Sequence, residues 1–172
     1  MKRTIALVLI LVTGSAFADF GGVTVGDGRY DIDIPGAENG ADSEHAMSVS
    51  VLYGWENRYG SIEVEYSHMG TYWIRNHVQD NAATVQTIGA AFVVNAGPAF
   101  VKLGGEAWLM DVTLSGHPSS ETGFGAVYGA GLQWGDKVRV RIGYDIHDGI
   151  DNDRVNVESG IQRAYAGVLF GL

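Results

Sequence analysis

The sequence predicts an all-β protein, an eight-stranded antiparallel up-and-down transmembrane β-barrel with a polar, salt-bridged lumen. Three observations lead there. Apolar and polar residues alternate with period two over most of the chain after residue 18, so that each segment has one oily and one polar face. The connections between these segments alternate between tight turns and longer polar stretches. The polar faces carry glycine and charges of both signs, which suits a narrow enclosed bore better than a solvated wall.

Composition narrows the function classes. The chain has 172 residues and a formal charge of −9, with 46% hydrophobic residues, 25 glycines, 3 prolines and no cysteine. That balance fits a folded protein, not a disordered one. An acidic chain without a Lys/Arg cluster argues against nucleic acid as a partner, because phosphate neutralisation needs clustered cations. Without cysteine there is no disulfide scaffold, no Cys-ligated zinc and no thiol chemistry.

The first element is a targeting segment. Met1–Lys2–Arg3 is basic, Ile5 to Val12 is apolar, and Ala16–Phe17–Ala18 is a small-x-small cleavage signal before Asp19. Residues 1–18 therefore read as a signal peptide, since the apolar run is far shorter than the ~20 residues of a spanning helix. The domain expected to fold is 19–172, with 9 basic against 20 acidic groups. Export of such a chain leaves the periplasm, the outer membrane or the medium of a Gram-negative bacterium, and the barrel pattern that follows selects the outer membrane.

Eight strands are predicted, over 20–34, 45–57, 60–74, 83–96, 98–114, 122–134, 137–148 and 159–172. The first changes parity, with Val23 and Val25 odd but Tyr30, Ile32 and Ile34 even; a bulge near Gly26–Gly28 is the expected repair. In the second, Met47, Val49, Val51, Tyr53 and Trp55 form the oily face. In the third, Ile62, Val64 and Tyr66 alternate with Ser61, Glu63, Glu65 and Ser67. The fourth is apolar on both faces, and in the fifth Trp108 shares the parity of Lys102 and Glu106; neither follows the simple pattern. In the sixth, Phe124, Tyr128, Leu132 and Trp134 alternate with Gly123, Gly125, Gly129 and Gly131. The seventh is the cleanest: Val138, Val140, Ile142, Tyr144 and Ile146 oppose Lys137, Arg139, Arg141, Asp145 and His147. The eighth sets Ala164, Ala166, Val168 and Phe170 against Arg163, Tyr165 and Gly167. The tight connections are 58–59, 97 and 135–136, and the long polar ones are 35–44, 75–82, 115–121 and 149–158.

Alternation alone does not say which face is inside. An eight-stranded bore is filled by side chains, and the aromatics of the oily faces would overfill it. Glycine on the polar face makes room for long neighbours. Glu63, Glu65, Glu106 and Asp145 can pair with Lys102, Lys137, Arg139, Arg141 and Arg163, which makes a closed charged interior tolerable. These nine residues are the expected lumen network. Trp55, Tyr59 and Trp134 at the short-turn end, with Tyr72 and Trp73 at the long-loop end, are the expected interface girdles.

On the segments Gly123–Leu132, Val138–Tyr144 and Ala164–Leu172, the chain resembles the OmpA transmembrane-domain, OmpX and Ail group of porin-family outer-membrane barrels, over nearly all of 19–172. The resemblance implies both termini in the periplasm, long loops at the cell surface and no separate peptidoglycan-binding domain. It also implies insertion by the barrel-assembly machinery, although the ending Phe170–Gly171–Leu172 carries the terminal aromatic signal of that group only in weakened form.

No chemistry-bearing motif is present: no G-x-S-x-G, HExxH or P-loop, so no catalytic residue, cofactor or metal site is assigned. His68 shares the oily face near a rim and reads as an interface histidine. Asp145, His147, Asp148, Asp151, Asp153 and Glu158 crowd the last loop; a solvated acidic loop is the default, a specific Ca²⁺ site is the sharper alternative, and divalent cations bridging 148–158 to lipopolysaccharide phosphates are its softer version. His45, His77 and His117 belong to separate loops. The functional expectation is a non-enzymatic structural or surface-interaction barrel. Its partners are outer-membrane lipid, lipopolysaccharide, and host or neighbouring outer-membrane proteins met through the loops. A small porin or solute channel is the alternative, and a lipid-modifying enzyme a more distant one.

Overall fold

The computed structural model describes residues 18–33, 42–57, 60–76, 79–114, 116–152 and 156–172. They form β1 (Ala18–Asp33), β2 (Asp42–Asn57), β3 (Gly60–Asn76), β4 (Gln79–Ala96), β5 (Ala99–Leu114), β6 (His117–Gly135), β7 (Val138–Asp148) and β8 (Asn156–Gly171). Every neighbour pair is antiparallel, and β8 pairs with β1 to close the barrel. Closure leaves the wall no open sheet edge where it crosses lipid, which the hydrocarbon slab requires. Of the expected signal peptide 1–18, residues 1–17 lie outside the described residues.

The wall is two-faced. On β7, Val138, Val140, Ile142 and Tyr144 are exposed, while Arg141, Asp145 and His147 are buried. The same holds on β2, where Met47, Val49 and Val51 face out and Ser48, Ser50 and Leu52 face in. This is the arrangement of a barrel whose solvent is lipid, apolar outside and polar within.

Three departures from the simple alternation have identifiable causes. β1 keeps its parity from Phe20 to Tyr30, contrary to the expected bulge near Gly26–Gly28: Asp27 and Arg29 face out and Tyr30 faces in. The irregularity lies instead in β8, where residues 159–161 stand opposite the single Tyr30 and Gly160 adopts φ +70. A second bulge sits in β3 between His68 and Thr71, at Gly70 with φ +83. The left-handed backbone there suits glycine, and a Cβ would also meet the Ala46 methyl at 2.9 Å. This bulge inverts the facing of Thr71 and Tyr72, which follow it. Tyr72 therefore points inward and is fully buried, so it is not part of an interface girdle.

Two expected long loops are largely strand. β3 and β4 pair up to Asn76↔Gln79, and β5 and β6 up to Leu114↔His117. Strands of 16–19 residues exceed the ~9–11 needed to cross the slab, so these hairpins carry the wall beyond the apolar belt. The belt has a polar upper limit. Asp27, His45, His68, Gln86, Asp111, Thr122 and Gln162 are the first outward polar residues on their strands above it.

Candidate functional site

The lumen is layered. Nearest the tight turns, Phe20, Leu52 and Leu169 pack together, and Val93, Phe100 and Tyr165 form a second apolar group. At the opposite end Tyr30, Met69, Tyr72, Val85, Trp108, Met110, Ile150 and Ile161 form a larger cluster. Ile150, from the chain after β7, is 2% exposed and plugs the mouth. Trp108 Nε1 donates to the Gly149 carbonyl at 2.8 Å and ties that segment to the wall. The apolar inner face of β4 is thereby explained: Ala83 and Val85 belong to the upper cluster and Val93 to the lower.

Between these plugs lies the charged layer. Arg141 donates to both oxygens of Glu63 at 2.8 and 2.6 Å and to Gln133 Oε1 at 2.9 Å. Arg163 reaches Glu65 at 2.7 Å, Asp145 at 3.0 Å and Ser67 at 3.1 Å, and also Ser50. Lys102 bonds the same two carboxylates, Glu65 at 2.6 Å and Asp145 at 2.9 Å. His147 Nδ1 donates to Glu106 at 2.9 Å. Lower down, Arg139 meets Glu56 at 2.7 Å, and Gln133 donates to Asn95 at 2.9 Å. Buried charges persist only when paired and hydrogen-bonded, and the bidentate Arg141–Glu63 geometry is the strong form of such a pair.

Each of these three arginines also lies over an aromatic ring, Arg139 over Phe20, Arg141 over Phe100 and Arg163 over Tyr165, all 4.8 Å from the centroid. Glycine on the neighbouring strand makes room for the ring. A Cβ on Gly131 would come 2.6 Å from the Phe100 ring, and one on Gly143 would come 2.6 Å from that of Tyr165.

Of the residues anticipated for the lumen, Glu63, Glu65, Lys102, Arg141, Asp145 and Arg163 share this layer, and Glu106 pairs with His147. Arg139 is engaged one level lower. Lys137 is not a member: it sits exposed in the β6–β7 turn, where parity no longer dictates facing. Asp145 and His147 are committed to the lumen and so do not belong to an acidic cation-binding loop. Asp148 and Asp151 are exposed, Asp153 lies outside the described residues, and the side chain of Glu158 is not described. Glu56, Gln133, Ser50 and Ser67 are network members that charge pairing alone missed; the period-two register would have found them.

Among the aromatics, Trp134 is exposed and Trp55 half-buried on the outer wall, with the Tyr53 ring edge-on to Trp55 at 5.0 Å. Tyr53 donates to Asp19 at 2.8 Å. At the upper limit Tyr66 donates to Gln86 at 3.0 Å and Tyr144 to Gln162 at 2.5 Å. These tyrosines show the apolar ring and wet hydroxyl of an interface residue. Tyr59 and the Trp73 side chain lie outside what is described.

His68 is on the outer wall, opposite Val49 on β2 and Gln86 on β4. His45 lies in β2 and bonds Asp27 at 2.7 Å, His117 opens β6, and His77 is outside the described residues. Among the described residues no three His, Asp or Glu gather as a metal centre. The cavity beside Glu63, Lys102, Glu106 and His147 is about 10 Å³, no more than the ~10–15 Å³ a single water needs.

Closed all-antiparallel topology, an outward apolar belt and a charge-filled bore together decide the architecture. It is the fold of the small outer-membrane β-barrels. Solved structures agree. Neisserial surface protein A matches with a TM-score of 0.57 at 18% identity, covering 90% of this chain and 97% of that one. Ail, the attachment invasion locus protein of Yersinia pestis, matches at 0.53 and 16% identity, over 89% and 99% of the two chains. The N-terminal barrel domain of Pseudomonas aeruginosa OprF matches at 0.56 and 14%, over 91% and 100%. No family model matches the chain, and no curated protein matches it by sequence. What this outer-membrane barrel fold establishes is the scaffold, because one scaffold serves many roles.

Proposed function

We propose that the protein is a non-enzymatic barrel of the Gram-negative outer membrane, exported by cleavage of 1–18 and inserted by the barrel-assembly machinery. Its role is structural or interactive and is exercised by the end above the belt. The observation that carries this reading is the occupied bore: the paired charges sit between two apolar plugs, and the cavity among them holds about 10 Å³. Lipid and lipopolysaccharide are the immediate surroundings, and a host or neighbouring outer-membrane protein is the class of partner for the protruding β3–β4 and β5–β6 hairpins. Ail has been seen with the heparin analogue sucrose octasulfate; a net charge of −9 disfavours a polyanion for this chain. Reconstitution into planar bilayers tests the reading. Silent membranes are expected, and steady unit conductance abolished by Arg141→Ala would establish a channel instead.

A further inference from the structure

A closed barrel is convex outside, yet the outer wall across β3–β6 contains a groove of about 630 Å³. Its cause is local. Ala107 stands between Ile88 and Phe124, its Cα partners on β4 and β6, so a methyl group separates two large side chains. Two residues lower, Gly105 stands between Ala90 and Ala126. A Cβ on Gly105 would meet nothing nearer than the Gly125 carbonyl at 3.7 Å, so the barrel itself does not require glycine there. Such a glycine suits a place where another surface comes close. At the upper end of the groove is the exposed carboxylate of Asp111, the only charged side chain among its described lining residues.

The opposite wall carries the converse features. In the closed order β1 lies four strands from β5 in either direction, so the two walls look away from each other. On the β1–β2 wall Met47 is 73% exposed, against 39–52% for Val23, Val25, Val49 and Val51 around it. It is a protruding side chain, long and adaptable. One outward step above it, His45 faces its Cα partner Arg29, and both are exposed. Among the residues whose side chains are described, Arg29 is the only Lys or Arg on the outer wall above the belt. Asp27 shares that face and is engaged by His45 at 2.7 Å. The two features lie at one depth. His45 and Asp111 both mark the polar limit of the belt, and Met47 and Leu109 are each one outward step below it.

We infer that these walls are complementary and that copies of this chain pack side by side in the membrane, Met47 of one in the Ala107 groove of the next, with Arg29 facing Asp111. The inference rests on the membrane reading above and adds an interface to it. Shape matters because lipid supplies no hydrophobic drive between membrane proteins, and association there depends on close packing and polar contacts. Charge fixes the pairing. Like walls set Asp111 against Asp111 or Arg29 against Arg29, whereas unlike walls set carboxylate against guanidinium. Because the walls are unlike and face opposite ways, the contact does not close on itself and builds an open row.

The test uses the full barrel in phosphatidylcholine vesicles, with cysteines introduced at Val25 on one wall and Thr122 on the other and joined by a short bis-maleimide. Chains with both cysteines should give a ladder of dimers, trimers and longer products, and chains with either cysteine alone should give no dimer. In the double-cysteine chain, Asp111→Arg should lower the cross-linked fraction roughly 5-fold, the ratio of a ~1 kcal/mol exposed ion pair. Adding Arg29→Asp to it should restore the ladder. Ala107→Phe, which fills the groove, should abolish the ladder, and Val140→Phe on the β7 wall should leave it unchanged. An inserted barrel that gives no ladder, or that cross-links equally through one cysteine, overturns the inference alone. A ladder indifferent to Ala107→Phe or Asp111→Arg, not restored by Arg29→Asp, or lost equally in Val140→Phe overturns it too. Tryptophan quenching by brominated lipid reports insertion of every variant; a wild-type barrel that fails to insert overturns the membrane reading and this inference with it.

Discussion

Glu65 and Asp145 reach the centre of the lumen from β3 and β7, and both are bonded by the same two cations, Lys102 and Arg163. Four groups on four strands thus form one closed unit. Its geometry couples walls that the sheet ladder alone joins only through intermediate strands. The unit is a crosspiece of the lumen, flanked by the Arg141–Glu63 and His147–Glu106 pairs.

Removing one member should therefore be costly. Arg163→Met leaves two carboxylates facing Lys102 alone, and stability should fall by about 3–5 kcal/mol. Glu65→Gln in the same background should recover part of that loss. Urea unfolding of the refolded barrel, followed by tryptophan fluorescence, reads both values. Equal stability of Arg163→Met and wild type would show that the crosspiece contributes nothing net.

The glycines of the inner face make a second prediction. Tyr165 fills the space where a Gly143 side chain would stand. Gly143→Val should destabilise the barrel by about 1–3 kcal/mol through overpacking, and Tyr165→Ala should lessen that penalty when the two are combined. A double-mutant cycle on the unfolding midpoint checks the coupling; strict additivity would mean the ring and the missing Cβ are unrelated.

How much of this was legible in the sequence depends on where pairing, not pattern, sets the facing. On β7 the alternation from Val138 to His147 states the orientation outright, since nothing interrupts the pleat. Tyr72 was not legible. Its facing depends on the one-residue bulge at Gly70, which arises from pairing with β4 and from close approach to β2, and Ser67–His68–Met69–Gly70–Thr71 does not announce it. The apolar plugs were hidden for a different reason: an inward Val85 or Val93 looks the same in sequence as an outward Val94. Lys137 read as lumenal because strand parity was extended one residue into a turn. The β3–β4 and β5–β6 connections read as loops because a strand above the belt no longer needs apolar residues on its outer face.

Belt depth yields a third prediction. Ile142 lies within the apolar wall and Gln162 at its polar limit. Ile142→Arg should cost about 2–4 kcal/mol in lipid, whereas Gln162→Arg should cost about 0–1 kcal/mol. Unfolding from bilayers by denaturant measures the pair. Similar penalties at both positions would place the hydrocarbon boundary elsewhere.

Facing on β7 can be measured directly, because the chain has no cysteine to interfere with labelling. Single cysteines at residues 138 to 146, spin-labelled in bilayers, report collision with oxygen in lipid and with a water-soluble nickel complex. The account predicts a period of two: Val138, Val140, Ile142 and Tyr144 positions meet oxygen freely, while Arg139, Arg141 and Asp145 positions meet neither reagent well. Free collision of the nickel complex at the Val140 and Ile142 positions would contradict it.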